Sequence, residues 1–206
     1  MKWKFKKMDK NYHLIMNEII SNLENKPKLL LHACCAPCAS YVLEALINHF
    51  EITIYYYNPN MNDNAEYEKR YKEFSKLLKG LNLENEVSVI KANYNNEDFL
   101  TIASPFASLE EGGERCTKCY NLRLEQTAKY ALENQFDFFA TTLTVSPYKN
   151  AKKINEIGLK LENKYNIKYL PTDFKKNNGY KRSIELSKEF DLYRQIYCGC
   201  IYSRKD

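Results

Sequence analysis

The cysteines of this chain lie in three groups, and their spacing is the most informative chemical feature of the sequence. The groups are Cys34, Cys35 and Cys38; Cys116 and Cys119; and Cys198 and Cys200. Thiols one to four residues apart can bind one metal or exchange a disulfide, whereas isolated cysteines are usually buried small hydrophobes. The sequence therefore predicts a centre built from thiolates.

Two of these groups together offer four ligands. The two-residue gap between Cys116 and Cys119 fits zinc, a redox dithiol or iron–sulfur equally, and Cys34 with Cys35 completes a set of four. Adjacent side chains diverge, and a cluster is wider than a single ion, so this pair favours iron–sulfur while zinc stays open. Cys38 is predicted as a near neighbour of the centre or an alternative ligand.

The third group, Cys198-Gly199-Cys200, has a spacing suited to redox chemistry. A disulfide across one residue closes a small ring that departs from relaxed geometry, and such a bond is easily reduced. Gly199 has no Cβ to hinder the turn. The alternative is a pair of thiols on an exposed tail.

Strand and helix patterns alternate along the chain. Apolar, β-branched or aromatic runs predict strands at 28–33, 52–57, 87–90, 136–142 and 167–170. Helical spacing predicts helices at 12–23, 40–50, 64–81, 116–134, 150–165 and 180–190.

This alternation predicts a single-domain, Rossmann-like (HUP-like) α/β fold. We expect a parallel sheet of about four or five strands flanked by helices, with the iron–sulfur site at the C-terminal ends of the strands. Residues 1–26 form an N-terminal helical extension in this interpretation, and 27–206 form the catalytic domain. The segment 103–114 is the predicted mobile loop.

Composition limits the possible compartments and partners. The chain has 31 Lys and Arg against 26 Asp and Glu, a net charge of +5 that permits a polyanionic partner without requiring one. The odd number of cysteines, their tight spacing and the lack of a signal-peptide pattern favour a reducing cytoplasm. No segment is apolar for long enough to predict a membrane span.

Several longer motifs occur in one order along the chain, and together they resemble the QueH family of cobalamin-independent epoxyqueuosine reductases. The motifs include Leu30-Leu31-His32-Ala33-Cys34-Cys35-Ala36-Pro37-Cys38, Gly112-Gly113-Glu114-Arg115-Cys116-Thr117-Lys118-Cys119 and Tyr193-Arg194-Gln195-Ile196-Tyr197-Cys198-Gly199-Cys200.

The resemblance implies the last step of queuosine biosynthesis, in which the epoxide oxygen of epoxyqueuosine is removed at the tRNA wobble position. It implies a 4Fe-4S cluster held by Cys34, Cys35, Cys116 and Cys119, and a redox-active disulfide between Cys198 and Cys200. The expected partners are tRNA carrying epoxyqueuosine and an unidentified electron donor. Whether a second iron lies beside the cluster stays open, and the resemblance implies no cobalamin. ATP is not expected, because no Ser-Gly-Gly-x-Asp-Ser phosphate loop follows the first strand.

Further residues in these motifs are candidates for supporting roles. Asp173 is the tentative acid for the leaving oxygen, with Glu114 and Tyr148 as alternatives. Candidate contacts to tRNA phosphates are Arg115, Lys149, Lys175, Lys176 and Arg194, and candidates for base stacking are Tyr148, Tyr180 and Tyr197. His32 is predicted to be a packed, hydrogen-bonded residue rather than a ligand.

Two other classes compete with this interpretation. One is a metal-free disulfide or peroxide reductase that uses the dithiols directly, and the other is a non-catalytic zinc-binding adaptor. A brown, iron-containing protein would separate the first class from an iron–sulfur reductase, and zinc without acid-labile sulfide would indicate the second.

Overall fold

The computed structural model describes residues 10–203, and its centre is one sheet of five parallel strands. The strands are β1 (Lys28–His32), β2 (Glu51–Tyr56), β3 (Ser88–Lys91), β4 (Phe138–Thr141) and β5 (Lys168–Tyr169). Their order in the sheet is β3-β2-β1-β4-β5, and every neighbouring pair is parallel. The predicted Rossmann-like α/β fold is confirmed.

Seven helices connect and cover the strands within the described residues. They are α1 (Tyr12–Ser21), α2 (Ala36–Leu46), α3 (Asn64–Gly80), α4 (Glu97–Ala103), α5 (Glu114–Glu133), α6 (Ala151–Tyr165) and α7 (Gly179–Glu189). Six of them match predicted helices, and α4 lies in a region for which no helix was predicted. Short 3-10 helices occur at Ser104–Phe106, Thr142–Val145 and Ile201–Ser203.

The start of α2 differs from the prediction and matters for the site. The helix begins at Ala36 rather than at Ser40. Cys35 is the N-cap, with extended backbone angles of φ −172° and ψ 159°, and Pro37 follows within the first turn. Proline is tolerated there because the first-turn N–H groups have no partner within the helix. The helix therefore carries Cys38 in its first turn.

Apolar cores cover both faces of the sheet. Leu29 and Leu31 of β1 face one core, which α2, α3 and α7 complete, and Leu30 faces the other core with α5 and α6. All three leucines are completely buried, as expected for the central strand of a parallel sheet. The carboxyl ends of the strands are consequently held in a rigid row.

Helix α1 packs on the first of these cores. Met16 is buried there, and the side chain of Asn177 hydrogen-bonds His13 at 2.7 Å. Residues 1–9 of the predicted N-terminal extension lie outside the described residues, and its boundary at residue 26 stays a prediction. Within 10–203, no helix is both long and apolar enough to span a membrane.

Candidate metal centre

The first group of thiols lies where β1 passes into α2. We call Cys34, Cys35 and Cys38 the α2 trio. Their sulfur atoms all lie within 4.8 Å of one another, and the Cys34 and Cys35 sulfurs are 3.6 Å apart. The side chain of Cys35 makes no capping hydrogen bond to the helix, so its sulfur is free for another role. Three thiols at this spacing are able to hold a metal.

The second group, the α5 pair, lies near the N-terminus of the next long helix. Cys116 accepts a hydrogen bond from the backbone N–H of Gly112 at 3.2 Å. Cys119 is buried one turn later, in a small cluster that also contains Phe99 and Cys200. The N-termini of α2 and α5 thus both bear cysteines, and the partial positive charge of a helix N-terminus stabilises thiolates.

The third group, which we call the Cys-Gly-Cys turn, links the other two. Burial raises the pKa of both Cys116 and Cys119, and the nearby charge of Cys198 raises it further, which places Cys198 close to the α5 pair. The charge of Cys34 also acts on Cys198, so the turn lies near the α2 trio as well. Just before the turn, the Gln195 side-chain amide donates to the Cys35 sulfur at 3.0 Å. All seven cysteines are free thiols and converge on one edge of the sheet.

Hydrogen bonds among these thiols favour one thiolate in each of two groups. In the α2 trio, hydrogen bonds from Cys35 and Cys38 hold the pKa of Cys34 well below its usual value, and the pKa values of both donors are raised. In the turn, the hydrogen bond from Cys200 lowers the pKa of Cys198. The site is therefore able to present negatively charged sulfur, the form that binds metals and attacks disulfides.

Buried cations compensate this negative charge. Arg123 is only 1% exposed, donates to the Asn58 side-chain oxygen at 2.5 Å and hydrogen-bonds the Cys119 sulfur. Lys149 is half-buried; burial disfavours its charge, but Cys198 and Cys34 outweigh this and raise its pKa. A guanidinium and an ammonium thus face the sulfurs.

His32 is a packed residue, as predicted. It is completely buried, and burial followed by the nearby charge of Arg123 lowers its pKa to about 3. Nε2 of His32 lies 3.2 Å from the Arg123 Nε and 3.1 Å from the Tyr57 carbonyl oxygen. Nδ1 lies 2.9 Å from the Thr141 hydroxyl. The imidazole ties β1 to β4 just below the thiols.

Unpaired polar atoms are concentrated at this same edge. Among the described residues, six buried side-chain nitrogen or oxygen atoms have neither a hydrogen-bond nor an ion-pair partner, and five of these belong to residues around the thiols or just beyond the strand ends. Because buried polar groups are normally paired, such atoms indicate a place where a ligand completes the structure. The five are in Asn60, Arg70, Arg115, Thr142 and Gln195.

The acid candidates have different surroundings. Asp173 follows β5, and its carboxylate lies 3.1 Å from the Lys175 ammonium. Glu114 is exposed and lies 3.7 Å from Lys118. Tyr148 is 78% exposed. No contact described above brings any of the three to a cysteine.

Arg115 is not available to bind a phosphate. It is 3% exposed and donates to the backbone carbonyls of Phe106, Ala107 and Leu109. These hydrogen bonds hold in place much of the segment 103–114, which was predicted to be a mobile loop. Of the other phosphate candidates, Lys176 is exposed, while Arg194 is half-buried above the Tyr180 ring at 5.4 Å. Tyr180 and Tyr197 are themselves half-buried.

Comparison with known proteins identifies the family. Residues 29–206 match the family model described as "Epoxyqueuosine reductase QueH". The chain belongs to the QueH family. The QueH relative from Staphylococcus epidermidis is 44% identical, over 97% of this chain and 87% of its own length. The relative from Streptococcus pyogenes is 40% identical, over 95% of this chain and 78% of its own.

A solved structure titled as a predicted subunit of tRNA methyltransferase, from Methanocaldococcus jannaschii, superposes with a TM-score of 0.47. It is 16% identical and covers 78% of this chain and 74% of its own.

Three residues that contact or face the cysteines were not predicted from the sequence. Arg123 comes four positions after Cys119, so helical spacing alone would have placed the two on one face of α5. Gln195 and Arg70 had no such signal, because their contacts to the cysteine groups join segments more than 100 residues apart.

Proposed function

We propose that this chain reduces epoxyqueuosine in tRNA to queuosine. Each turnover breaks the two C–O bonds of the epoxide, consumes two electrons and two protons, and releases the oxygen as water while an alkene forms. The observation that carries the proposal is the convergence of seven thiols from three chain segments at one sheet edge, in a member of the QueH family.

The proposed cofactor is a 4Fe-4S cluster with Cys34, Cys35, Cys116 and Cys119 as ligands. The thiol donor set, the low pKa of Cys34 and the adjacent helix N-termini fit such a group. When bound, the cluster would supply single-electron transfer to the substrate. Cys38 belongs to the α2 trio and is the alternative ligand for the cluster. If it is not a cluster ligand, its sulfur is available to bind a second iron.

The chain's own residues have separate tasks in this proposal. Cys198 and Cys200 store two electrons as a dithiol and release them as their disulfide forms. Arg123 and Lys149 compensate the negative charge of the thiol centre. Asp173 is the proposed acid, and the Lys175 ammonium lies 3.1 Å from its carboxylate.

The tRNA is proposed to approach the strand-end edge, where exposed groups surround the thiols. Tyr148 is available to stack on an unpaired base, and Lys176 is available to a phosphate. Replacing Tyr148 with alanine should weaken binding of the anticodon stem-loop. Unchanged affinity, measured by fluorescence anisotropy, would contradict this contact.

The proposal is tested by purifying the protein without oxygen and measuring iron and acid-labile sulfide. The protein is then incubated with a chemical reductant and tRNA carrying epoxyqueuosine, and the nucleosides are analysed by mass spectrometry. We expect about four iron and four sulfide per chain, as a 4Fe-4S cluster requires, and loss of one oxygen from the nucleoside.

The same experiment distinguishes the competing classes. Turnover of disulfides or peroxides without metal would support the dithiol reductase. Zinc without sulfide, together with unchanged epoxyqueuosine, would support the adaptor. Either result would overturn the proposed reduction.

A further inference from the structure

We propose that Arg70 positions the Cys-Gly-Cys turn and raises the reduction potential of the Cys198–Cys200 couple. The inference rests on the proposed dithiol role of these two cysteines. Arg70 lies on α3, which carries none of the seven cysteines, so neither spacing nor motif connects it to the centre.

The guanidinium of Arg70 is fixed at both of its ends. Its Nε donates to a Glu66 carboxylate oxygen at 2.6 Å, one helical turn earlier on α3. Its Nη1 donates to the backbone carbonyl of Cys198 at 3.2 Å. Glu66 is fixed in turn, because the Tyr193 hydroxyl lies 3.4 Å from both of its carboxylate oxygens. The arginine thus joins α3 to the segment that leads into the turn.

The turn itself fits closely against this arginine. Gly199 has φ +110°, a conformation that side-chain-bearing residues rarely adopt. A Cβ at this position would lie only 3.2 Å from both Nη1 and Nη2 of Arg70. The Gly199 carbonyl accepts from the Asn62 backbone N–H at 2.9 Å. Both carbonyls between the two cysteines are therefore held, one by Arg70 and the other by Asn62.

One nitrogen of Arg70 remains unpaired, and this points to an electrostatic role. The side chain is 1% exposed, and Nη2 is buried without a hydrogen-bond partner. The positive charge of this covered guanidinium acts on the groups that surround it. The surroundings include the Cys-Gly-Cys turn and the sulfurs of Cys34 and Cys35.

A fixed positive charge at this place favours the reduced form of the couple. A thiolate is negative and a disulfide is neutral, so a nearby cation stabilises the dithiol more than the disulfide. When glutathione disulfide oxidises the couple, the Cys198–Cys200 bond forms, the glutathione S–S bond breaks and two glutathione thiols take up the electrons and protons. Arg70 is expected to oppose this oxidation.

The test measures that equilibrium in protein purified without oxygen. Wild type and Arg70→Met are equilibrated with defined ratios of glutathione to glutathione disulfide, trapped by alkylation and analysed by peptide mass spectrometry. Arg70→Met should oxidise about tenfold more readily, a potential lower by about 30 mV for two electrons. Arg70→Lys, which keeps the charge, should return part of the wild-type value, a rescue that a purely structural role does not predict.

Further variants keep the inference testable if Arg70→Met does not fold. Gly199→Ala forces a Cβ against the guanidinium and should shift the equilibrium while leaving Arg70 in place. Arg182→Met is the matched control, because Arg182 also pairs with a glutamate, Glu44, but its side chain is 38% exposed and it belongs to α7. It should leave the equilibrium unchanged.

The outcomes separate this inference from the function on which it rests. Equal equilibria for wild type and folded Arg70 and Gly199 variants would overturn the role of Arg70 alone. Failure of wild type to form a Cys198–Cys200 disulfide at any glutathione ratio would overturn the dithiol role, and the inference with it.

Discussion

Two Cys-x-x-Cys segments with the same gap have different geometries in this protein. Cys35 and Cys38 occupy the N-cap and third positions of α2, whereas Cys116 and Cys119 occupy the third and sixth positions of α5. The extended backbone of Cys35 turns its sulfur back toward Cys38, and Cys34 joins them within 4.8 Å. The α5 pair instead has ordinary helical i,i+3 spacing. The position of the helix start relative to the cysteines, rather than the two-residue gap, therefore determines the geometry of each pair.

The two segments also differ in how they are supported. The α5 pair has Arg123 one turn further along the same helix, hydrogen-bonded to Cys119. The α2 trio receives its side-chain support from another segment, through Gln195. A helix can thus carry its own counter-charge, while a strand-to-helix turn relies on distant residues.

The largest expected effect is on metal content. If Cys119 is a ligand and Cys38 is a neighbour, Cys119→Ser should lose most of the iron, whereas Cys38→Ser should retain more than half. Iron and sulfide analysis of the two variants, purified side by side without oxygen, checks this. Loss of iron from Cys38→Ser with retention in Cys119→Ser would identify the α2 trio as the ligand set.

The second prediction concerns the free energy of unfolding and the contribution of Arg123, which lies beside the α5 pair. Arg123→Met leaves Asn58 and His32 without their donor in a buried site, and should lower the free energy of unfolding by about 3–5 kcal/mol. The exposed Arg182→Met should cost about 0–1 kcal/mol. Urea denaturation measures both variants. Similar losses would mean that the buried network contributes no more than a surface ion pair.

A smaller effect tests the importance of the helix start. Pro37 and Lys118 occupy equivalent places in the two segments, but Pro37 lies in the first turn of its helix and Lys118 in the second. Lys118→Pro should cost about 3 kcal/mol, because it removes a helical hydrogen bond and introduces a clash. Pro37→Ala should change stability by less than about 1 kcal/mol. Equal effects in thermal and urea unfolding would refute this explanation of the difference.

The fold could be predicted from the sequence because its strands are continuous apolar runs. The buried run from Leu29 to Leu31 has the pattern expected of a central parallel strand. The start of α2 was missed because its first turn contains a proline and consists of small residues without the spacing of large apolar side chains that indicates a helix. The place of Cys38 as a neighbour or an alternative ligand stays a prediction.

The cysteines of the site could be predicted, but most of their surroundings could not. Clustered thiols are visible in any sequence, and Arg123 follows Cys119 at helical spacing. Arg70 and Gln195 reach the site only because the fold brings distant segments together. Arg115 was predicted to bind phosphate, but its side chain is folded inward onto three carbonyls, which a sequence motif does not indicate.

The hydrogen bond from Gln195 to Cys35 has a consequence for how the protein is made. The two residues are separated by 160 positions, and a ribosome adding about 5–20 residues per second needs roughly 8–32 s to cover that distance. During this interval the nascent α2 trio exists without the segment that later covers it. During synthesis the thiols of the α2 trio are therefore accessible to oxidants from which the folded protein protects them.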